Sequence, residues 1–156
     1  MGLPDDIAAL REEVAPWIAA AAASYQQLCA APLFEGGGDD VLAQAEEASF
    51  ALLMHNGGED PIFQYANARA RALFGYTLEE FRQLPSRLSA EPDQREERAR
   101  MLKQAAESGY FDGYQGVRIA KDGQRFRITQ AIIWQVRDAN GQIIGQAAKI
   151  PEAVHI

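Results

Sequence analysis

One stretch, from Pro61 to Leu84, constrains the fold more than any other part of the chain. It reads PIFQYANARARALFGYTLEEFRQL. Phe63 and Tyr65, near its start, are typical of a short strand. Asn67 can then cap a helix by accepting a hydrogen bond from a free backbone N–H, and Gly75 can end that helix in the left-handed conformation. The stretch therefore predicts a short strand that leads directly into a very short helix.

A second very short helix follows at once. Thr77 and Glu80 have the spacing of a capping box, and Tyr76 and Phe81 are placed as the hydrophobic staple across it. Pro85 should stop the helix. Two capped helices of this length, directly after a strand, are typical of a small sensor or ligand-binding module.

Size, charge and cysteine content limit the possible functions. The chain has 156 residues, 47% of them hydrophobic, which is enough for one good core. Its net charge of −7 argues against a nucleic-acid-binding surface, which needs clustered Lys and Arg. The single cysteine, Cys29, excludes an intramolecular disulfide framework and suits a reducing compartment. We expect one main domain at residues 39–156, behind a helical extension and a Gly-rich linker at residues 1–38.

The extension predicts an amphipathic helix, which Asp5 or Asp6 can cap and which Pro16 should kink or divide. This helix must bury its apolar stripe either on the main core or on a second copy of the chain, so own-core packing and a homodimer both stay open. The Gly36-Gly37-Gly38 run should act as a flexible linker. The residues of the stripe recur at helical spacing: Ile7, Leu10, Val14, Trp17, Ile18, Ala21 and Leu28.

The N-terminus gives no sign of export. It is acidic where a signal peptide carries positive charge, and its longest apolar stretch, Trp17 to Ala23, is too short to span a bilayer. We therefore expect a cytoplasmic protein.

Elsewhere the chain predicts a mixed α and β structure. The apolar run from Ser49 to His55 favours a buried strand, and Asn56-Gly57-Gly58 then turns the chain. Pro92 should begin a longer helix that Gly109 ends. The buried side of that helix should carry three residues: Met101, Leu102 and Ala105.

The last third predicts a β-meander, because Asp122-Gly123 and Asn140-Gly141 are strong two-residue hairpin signals. With two-residue turns, Val117 faces Ile128, Ile119 faces Phe126, and Trp134 faces Ala147. One face of the middle strand should then be the core face, and the opposite face, with Arg125, Arg127, Gln135 and Arg137, should meet solvent. The predicted core face carries Phe126, Ile128, Ile132, Trp134 and Val136.

This register also places Gln115 opposite Gln130 on the apolar face. Such amides either bond to each other at a sheet margin or line a small cavity between the sheet and the short helices. In the second case Trp134 forms an aromatic wall of that cavity. The other candidate ligand-binding residues are His55 at the end of the first strand and three residues of the short helices: Asn67, Phe74 and Tyr76.

Catalytic and metal sites find little support in the sequence. Two histidines far apart and one cysteine do not have metal-ligand spacing, and His155, near the end of the chain, is expected to be disordered. Asp112 and Glu107 could act as acid and base only if a pocket held them, whereas exposed carboxylates are the commoner case. We expect no catalytic residues and no enzyme.

The order of elements resembles the PAS fold, and YANARARALFGYTLEEF is similar to its strand-to-helix segment. Five further segments resemble the MEKHLA domain more specifically: LPSRLSAEP, REER, GYQGVRI, GQRFRI and GQAA, with the Trp134 region between the last two. This PAS-related domain occurs at the C-terminus of some plant transcription factors and as stand-alone bacterial proteins, the type that this chain resembles. The resemblance covers about Asp40 to Ile150.

The resemblance implies a five-stranded antiparallel sheet with helices over one face, and a role in sensing or protein contact. It supplies no catalytic residues. Flavin-binding photosensory PAS domains hold a cysteine in a segment that corresponds to Asn67–Gly75, and this chain has no cysteine there. Haem-binding PAS domains use a helix histidine, and Arg95–Ser108 has no histidine. Neither cofactor is therefore expected.

Three functions remain open at this stage. The first is a sensory module that binds a small molecule and signals through a protein partner or a dimer contact of the N-terminal helix. The second is an interaction module with a filled core. The third is an enzyme of the cone-shaped α+β type, which needs an inward-facing acid or base.

Overall fold

The computed structural model describes residues 3–36, 38–90 and 92–156. For Pro92, Asp93, Gln94 and Ala106 it describes the backbone only. The elements follow one another in this order: α1 (Asp5–Ala8), α2 (Arg11–Cys29), α3 (Val41–Glu47), β1 (Ala51–His55), β2 (Phe63–Ala66), α4 (Ala68–Phe74), α5 (Leu78–Phe81), a 3-10 helix (Ser86–Ser89), α6 (Pro92–Ser108), β3 (Tyr110–Ile119), β4 (Arg125–Arg137), β5 (Ile143–Ile150) and β6 (Glu152–His155). Gly37, the middle residue of the predicted flexible linker, lies outside the described residues.

The strands form one antiparallel sheet in the order β2-β1-β5-β4-β3. β6 adds a sixth strand, which pairs with the first half of β4 and continues the line of β5 after Pro151. His155, expected to be disordered, instead lies opposite Phe126 in this strand. That expectation was wrong because the chain end can satisfy its backbone groups on a free edge of β4. The predicted α+β architecture with one antiparallel sheet is confirmed, although the sheet has six strands where five were expected.

The two short helices form as the sequence predicts. The Asn67 side chain accepts a hydrogen bond from the Ala70 N–H, and Gly75 ends α4 with φ +81°. Thr77 and Glu80 form a complete capping box at α5. The Tyr76 and Phe81 rings are in edge contact, with centroids 5.4 Å apart. Local capping rules were sufficient here because each bond joins residues three or four positions apart.

The N-terminal helices cover one face of the sheet, which we call the α2 face. Ile7, Val14, Ile18 and Ala21 are buried there in the same cluster as Trp134. This packing answers the question that the sequence left open, since the apolar stripe is buried on the chain's own sheet. The helical break falls at Ala9 and Leu10, while Pro16 lies inside α2. Pro4, and neither Asp5 nor Asp6, is the N-cap of α1.

Helices α4, α5 and α6 cover the opposite face, which we call the α6 face. Its cluster brings Phe74 and Phe81 from the short helices and Ala105 from α6 onto the sheet residues Phe126 and Ile133. Pro92 and Ser108 bound α6, and Gly109 follows with φ +95°, as predicted. The sheet is therefore covered on both faces, where helices over one face were expected, because the N-terminal helices bury their apolar stripe on the second face. The polar residues of the sheet cannot be assigned to solvent by alternation alone.

The first hairpin has a different register from the predicted one. Ala120 and Gln124 are joined by a backbone hydrogen bond, and the loop between them has three residues that end in Gly123 at φ +89°. Arg118 consequently lies opposite Phe126, where Ile119 was expected. A three-residue loop with a left-handed glycine competes with the two-residue turn for the same Asp-Gly signal, and its selection shifts the whole pairing by one residue.

The second hairpin makes a similar three-residue turn, with a backbone hydrogen bond from Asp138 N to Gln142 O. An irregularity between Val136 and Arg137 compensates for it. Trp134 therefore does lie opposite Ala147, as predicted, although the turn that was assumed is not the one that forms.

A bulge in β4 overturns the predicted core face. Gln130 has φ +57°, and it shares with Thr129 the position opposite Gln115. An extra residue reverses the alternation beyond it. Phe126 and Ile128 therefore lie on the α6 face while Trp134 and Val136 lie on the α2 face, and the predicted single core face was wrong. Gln135, predicted to meet solvent, is only 8% exposed.

Candidate functional site

A cavity of about 50 Å³ lies between α6 and the sheet, on the α6 face. Its walls are mostly apolar, with aliphatic residues of the three central strands on one side and Leu102 of α6 on the other. Polar side chains of five elements line it: His55 of β1, Ser89 of the 3-10 helix, Arg98 of α6, Arg118 of β3 and Gln146 of β5. An apolar cavity with a few convergent polar groups is the usual form of a small-molecule site.

Arg118 is the most deeply buried charge in this site, with only 5% of its surface exposed. Its Nη1 donates to the carbonyl oxygen of Val117 at 2.7 Å, and its guanidinium lies 5.0 Å from the centre of the Tyr114 ring. Burial, with the nearby charge of Arg98, lowers the pKa of Arg118 to about 9, and Glu97 opposes this shift. Gly116 leaves room for the side chain, since a Cβ there would lie 3.2 Å from Nη1.

Arg98 brings a second guanidinium to the cavity from α6. The residue is partly buried and lines both the cavity and the neighbouring groove. Burial lowers its pKa to about 10. Among the side chains that the structure describes, none forms an ion pair with Arg98 or Arg118. Two cations therefore share one weakly solvated region.

His55 closes the cavity at the end of β1, and it is 6% exposed. Its Nδ1 accepts a hydrogen bond from the Gly57 N–H at 3.1 Å, which fixes the tautomer with the proton on Nε2. Nε2 has no partner of good geometry among the described residues, although the Gln146 side chain lies beside it. Burial and the charge of Arg98 lower the pKa of His55 to about 4, so the imidazole is neutral at pH 7.

Gln146 ties the sheet to α6 at the rim of the cavity. Its Nε2 donates to the backbone carbonyl of Leu102 at 2.9 Å. It lies between His55 on β1 and Gln135 on β4, its Cα partners in the sheet. A polar row thus crosses three strands on a face that is otherwise apolar.

A groove of about 590 Å³ adjoins the cavity. Four residues line both: His55, Arg98, Leu102 and Gln146. The groove continues along the turn after β1, which carries the carboxylates of Glu59 and Asp60, and along α6, which carries Lys103 and Arg95. A molecule anchored in the small cavity can therefore extend into the groove.

Two of the seven predicted site residues lie at this cavity: His55 and Phe74. Asn67 is fully buried but does not line it. Its side chain accepts from the N–H groups of Leu52 and Ala70 and donates to two carbonyl groups, so all its hydrogen-bonding capacity is used in joining β1 to α4.

The other four do not line the cavity. Gln115 and Gln130 are exposed, because the Gln130 bulge turns both away from the core. The prediction that they face inward was wrong. Trp134 lies on the α2 face and donates its Nε1–H to the carbonyl oxygen of Ala21 at 2.9 Å. Tyr76 is partly buried against Phe81.

Sequence analysis missed both arginines. The two-residue turn placed Val117 and Ile119 on the core face, which leaves Arg118, between them, on the opposite side. The three-residue loop that forms brings Arg118 inward. Arg98 stands in the charged run REER, where its neighbours Glu97 and Arg100 form an exposed ion pair at 3.7 Å. An apolar neighbour one turn on, Leu102, is the one signal that could have marked Arg98 as the inward-facing member of that run.

The carboxylates considered for acid–base chemistry do not reach the cavity, since Asp112 and Glu107 are both exposed. No group of three or more metal-binding side chains occurs in the described parts of the chain. Within the same residues, no helix has the length and hydropathy that a membrane crossing requires.

The sequence matches the model of one protein family, the MEKHLA domain, over residues 15–153. No curated protein sequence matches the chain. Several solved structures share the fold. A PAS domain of a protein from Colwellia psychrerythraea is 19% identical, with a TM-score of 0.59, over 72% of this chain and 90% of that one.

Two light-oxygen-voltage structures are also similar. One, a domain studied with a flavin analogue, is 19% identical with a TM-score of 0.55, over 69% of this chain and 77% of that one. The other, an RNA-binding light-oxygen-voltage receptor, is 20% identical with a TM-score of 0.55, over 68% of this chain and 30% of that one. At these identities the likeness concerns the fold alone.

Proposed function

Because the chain belongs to the MEKHLA-domain family, whose fold here is that of PAS domains, we propose that it is a cytoplasmic sensory module that binds a small molecule between α6 and the sheet. The observation that carries this proposal is the cavity with His55, Arg98 and Arg118 converging on it from three elements. A filled-core interaction module has no need to bury the unpaired cation of Arg118 beside a second, partly buried cation at Arg98.

The division at residue 38 remains part of this proposal, with residues 39–156 as the sensory domain and residues 1–38 as the output segment. A ligand can shift a structure only by its differential affinity for two states. Gln146 touches α6 on one face of β5, while the next residue, Ala147, packs with Trp134 under α2 on the other. Movement of α6 on binding therefore has a short path to the N-terminal helix.

The output is a contact with a protein partner or with a second copy of the chain, made by the outward side of α2. That side is polar, with Glu12, Glu13 and Gln27 exposed, because the apolar side is already buried on the sheet. We propose no catalytic role, and nucleic acid and membrane are not among the proposed partners.

Native mass spectrometry of freshly purified protein, beside its denatured mass, tests this function. Extra mass of a small molecule in the native spectrum supports it. Ala131→Leu should remove that mass, since Ala131 is fully buried and lines the cavity. Ala72→Leu, on the exposed side of α4, is the matched control and should retain it.

The filled-core alternative makes the opposite prediction. It requires identical native and denatured masses, no binding from a panel of small molecules, and no response of α2 hydrogen exchange to any of them. That set of results would leave only a protein-contact role. Cell fractionation tests the cytoplasmic location separately.

A further inference from the structure

We infer that the ligand is a small carboxylic acid, whose carboxylate lies between Arg98 and Arg118 and whose apolar remainder lies against the aliphatic wall of the cavity. This inference rests on the proposed function and adds the chemical class of the ligand. It comes from the charges of the cavity and from the composition of its walls.

The charge argument starts from the absence of protein partners. Arg118 is 5% exposed, and its one hydrogen bond to another described residue is to the Val117 carbonyl. None of the described carboxylates pairs with it or with Arg98, and Glu97, the nearest acidic influence on Arg118, pairs with Arg100 on the surface. A buried cation without a counter-charge is costly, so a bound anion is the chemistry that this arrangement recognises.

The arginine geometry favours a planar anion. A guanidinium offers donors in a flat fork that matches a carboxylate or a phosphate. One face of the Arg118 guanidinium is already covered by the Tyr114 ring, so its remaining donors point along the guanidinium plane. The His55 imidazole, neutral and with its Nε2–H unpaired among the described residues, provides one further donor at the same cavity.

The walls favour a carboxylate over a phosphate. The cavity is only about 50 Å³, and Phe74, Ile128, Ile133 and Ile150 line it. Apolar walls cannot replace the hydration of those phosphate oxygens that the arginines do not reach, whereas a monocarboxylate also gains from burying its apolar group against the same walls. A remainder that is too long for the cavity can enter the adjoining groove.

Titrations with defined probes test the inference. We expect sodium butyrate or sodium benzoate to shift the backbone amide signals of His55 and Gln146 in ¹H–¹⁵N spectra and to raise the melting temperature. The neutral isosteres butyramide and benzamide should bind at least about tenfold more weakly, since one charged hydrogen-bonded contact is worth that factor. Inorganic phosphate, at matched ionic strength, should bind no better than the amides.

Variants then locate the anion. Arg98→Gln and Arg118→Gln should each weaken binding of the acid about tenfold or more while leaving binding of the amide unchanged. Arg100→Gln and Arg127→Gln remove equally charged but exposed side chains of the same helix and of the neighbouring strand, so they should leave both affinities at the wild-type value. If Arg118→Gln does not fold, the preference of the wild-type protein for acid over amide decides the matter.

The remaining outcomes distinguish failure of the carboxylate inference from failure of the proposed sensory function. Equal affinities for acid and amide, or unchanged affinity in both arginine variants, would overturn the carboxylate and leave the small-molecule sensor in place. Tighter binding of phosphate than of either acid would overturn it as well. Absence of binding by every probe, together with no extra mass in the native spectrum, would instead remove the sensory function itself.

Discussion

The two faces of the sheet are buried in different ways. On the α2 face, no fully buried polar side-chain atom of the described residues lacks a hydrogen-bond partner. Trp134 is an example, since its indole N–H donates to the Ala21 carbonyl oxygen and its ring meets Tyr25 edge-on at 5.0 Å. On the α6 face, Arg118 and His55 are buried and Arg98 is partly buried, and all three have hydrogen-bonding capacity left over among the described residues. The same strands supply both faces, so the difference does not come from the strands themselves. The buried groups of the α2 face stabilise the fold, whereas the α6 face keeps buried polar groups that lower its stability.

The largest expected effect comes from removing a buried side chain of the α2 face. Trp134→Ala should lower the free energy of unfolding by about 3–5 kcal/mol, because it empties a fully buried ring position beneath α2. Chemical denaturation measures this loss. Ile143→Ala, on the same hairpin but 53% exposed, is the control and should change the free energy by less than about 0.5 kcal/mol. A near-wild-type midpoint for Trp134→Ala would contradict the packing of α2 on the sheet.

The next effect is the acid sensitivity of the α6 face. The pKa of His55 is lowered to about 4 in the folded state from an ordinary value near 6.5, so the unfolded chain binds the proton more tightly. Stability is therefore full above pH 6.5 and is lost as the pH falls towards 4, by about 3 kcal/mol in total.

His55→Asn isolates that contribution, since its side-chain oxygen can still accept from the Gly57 N–H but does not titrate. The difference between the wild-type and variant stability curves should slope between pH 6.5 and 4 and be flat above pH 7. A constant difference across this range would show that His55 is charged or exposed in the folded protein.

A third variant should stabilise the protein, in contrast to the first two effects. Arg118→Met should raise the free energy of unfolding by about 2 kcal/mol in buffer without carboxylate, because it replaces a buried unpaired cation with an apolar side chain of similar length. Thermal and urea denaturation should both show the gain. Arg127→Met, at an exposed position of β4, should be neutral. A marked destabilisation by Arg118→Met would show that the arginine serves the fold and not a ligand.

The smallest effect concerns the residue that divides the two faces. Gln130 adopts φ +57°, a region that favours glycine, so Gln130→Gly should stabilise the protein by about 0.5 kcal/mol. Thr129→Gly, next to it but without positive φ, should destabilise by a similar amount. If both variants lose stability equally, the bulge is not located at Gln130.

Sequence signals were sufficient to predict an element wherever the hydrogen bonds that form it join residues close together in the chain. The cap of α4 at Asn67, the capping box of α5, and the glycine ends of α4 and α6 each depend on residues within one helical turn. The PAS-like architecture followed from the order of these elements. His55 and Phe74, two of the predicted site residues, line the cavity, and each stands at the end of its element.

The tertiary structure alone decided which way the strands face. A three-residue loop at Gly123 and a bulge at Gln130 each move the alternation by one residue, and together they bring Arg118 inward and send Trp134 to the other face. The sequence offers Asp-Gly to several turns of nearly equal energy, and the choice among them depends on how the distant helices α2 and α6 fill the two faces. The elements of this protein were therefore determined by its sequence locally, whereas its charged cavity exists only because packing across the whole sheet selected one register.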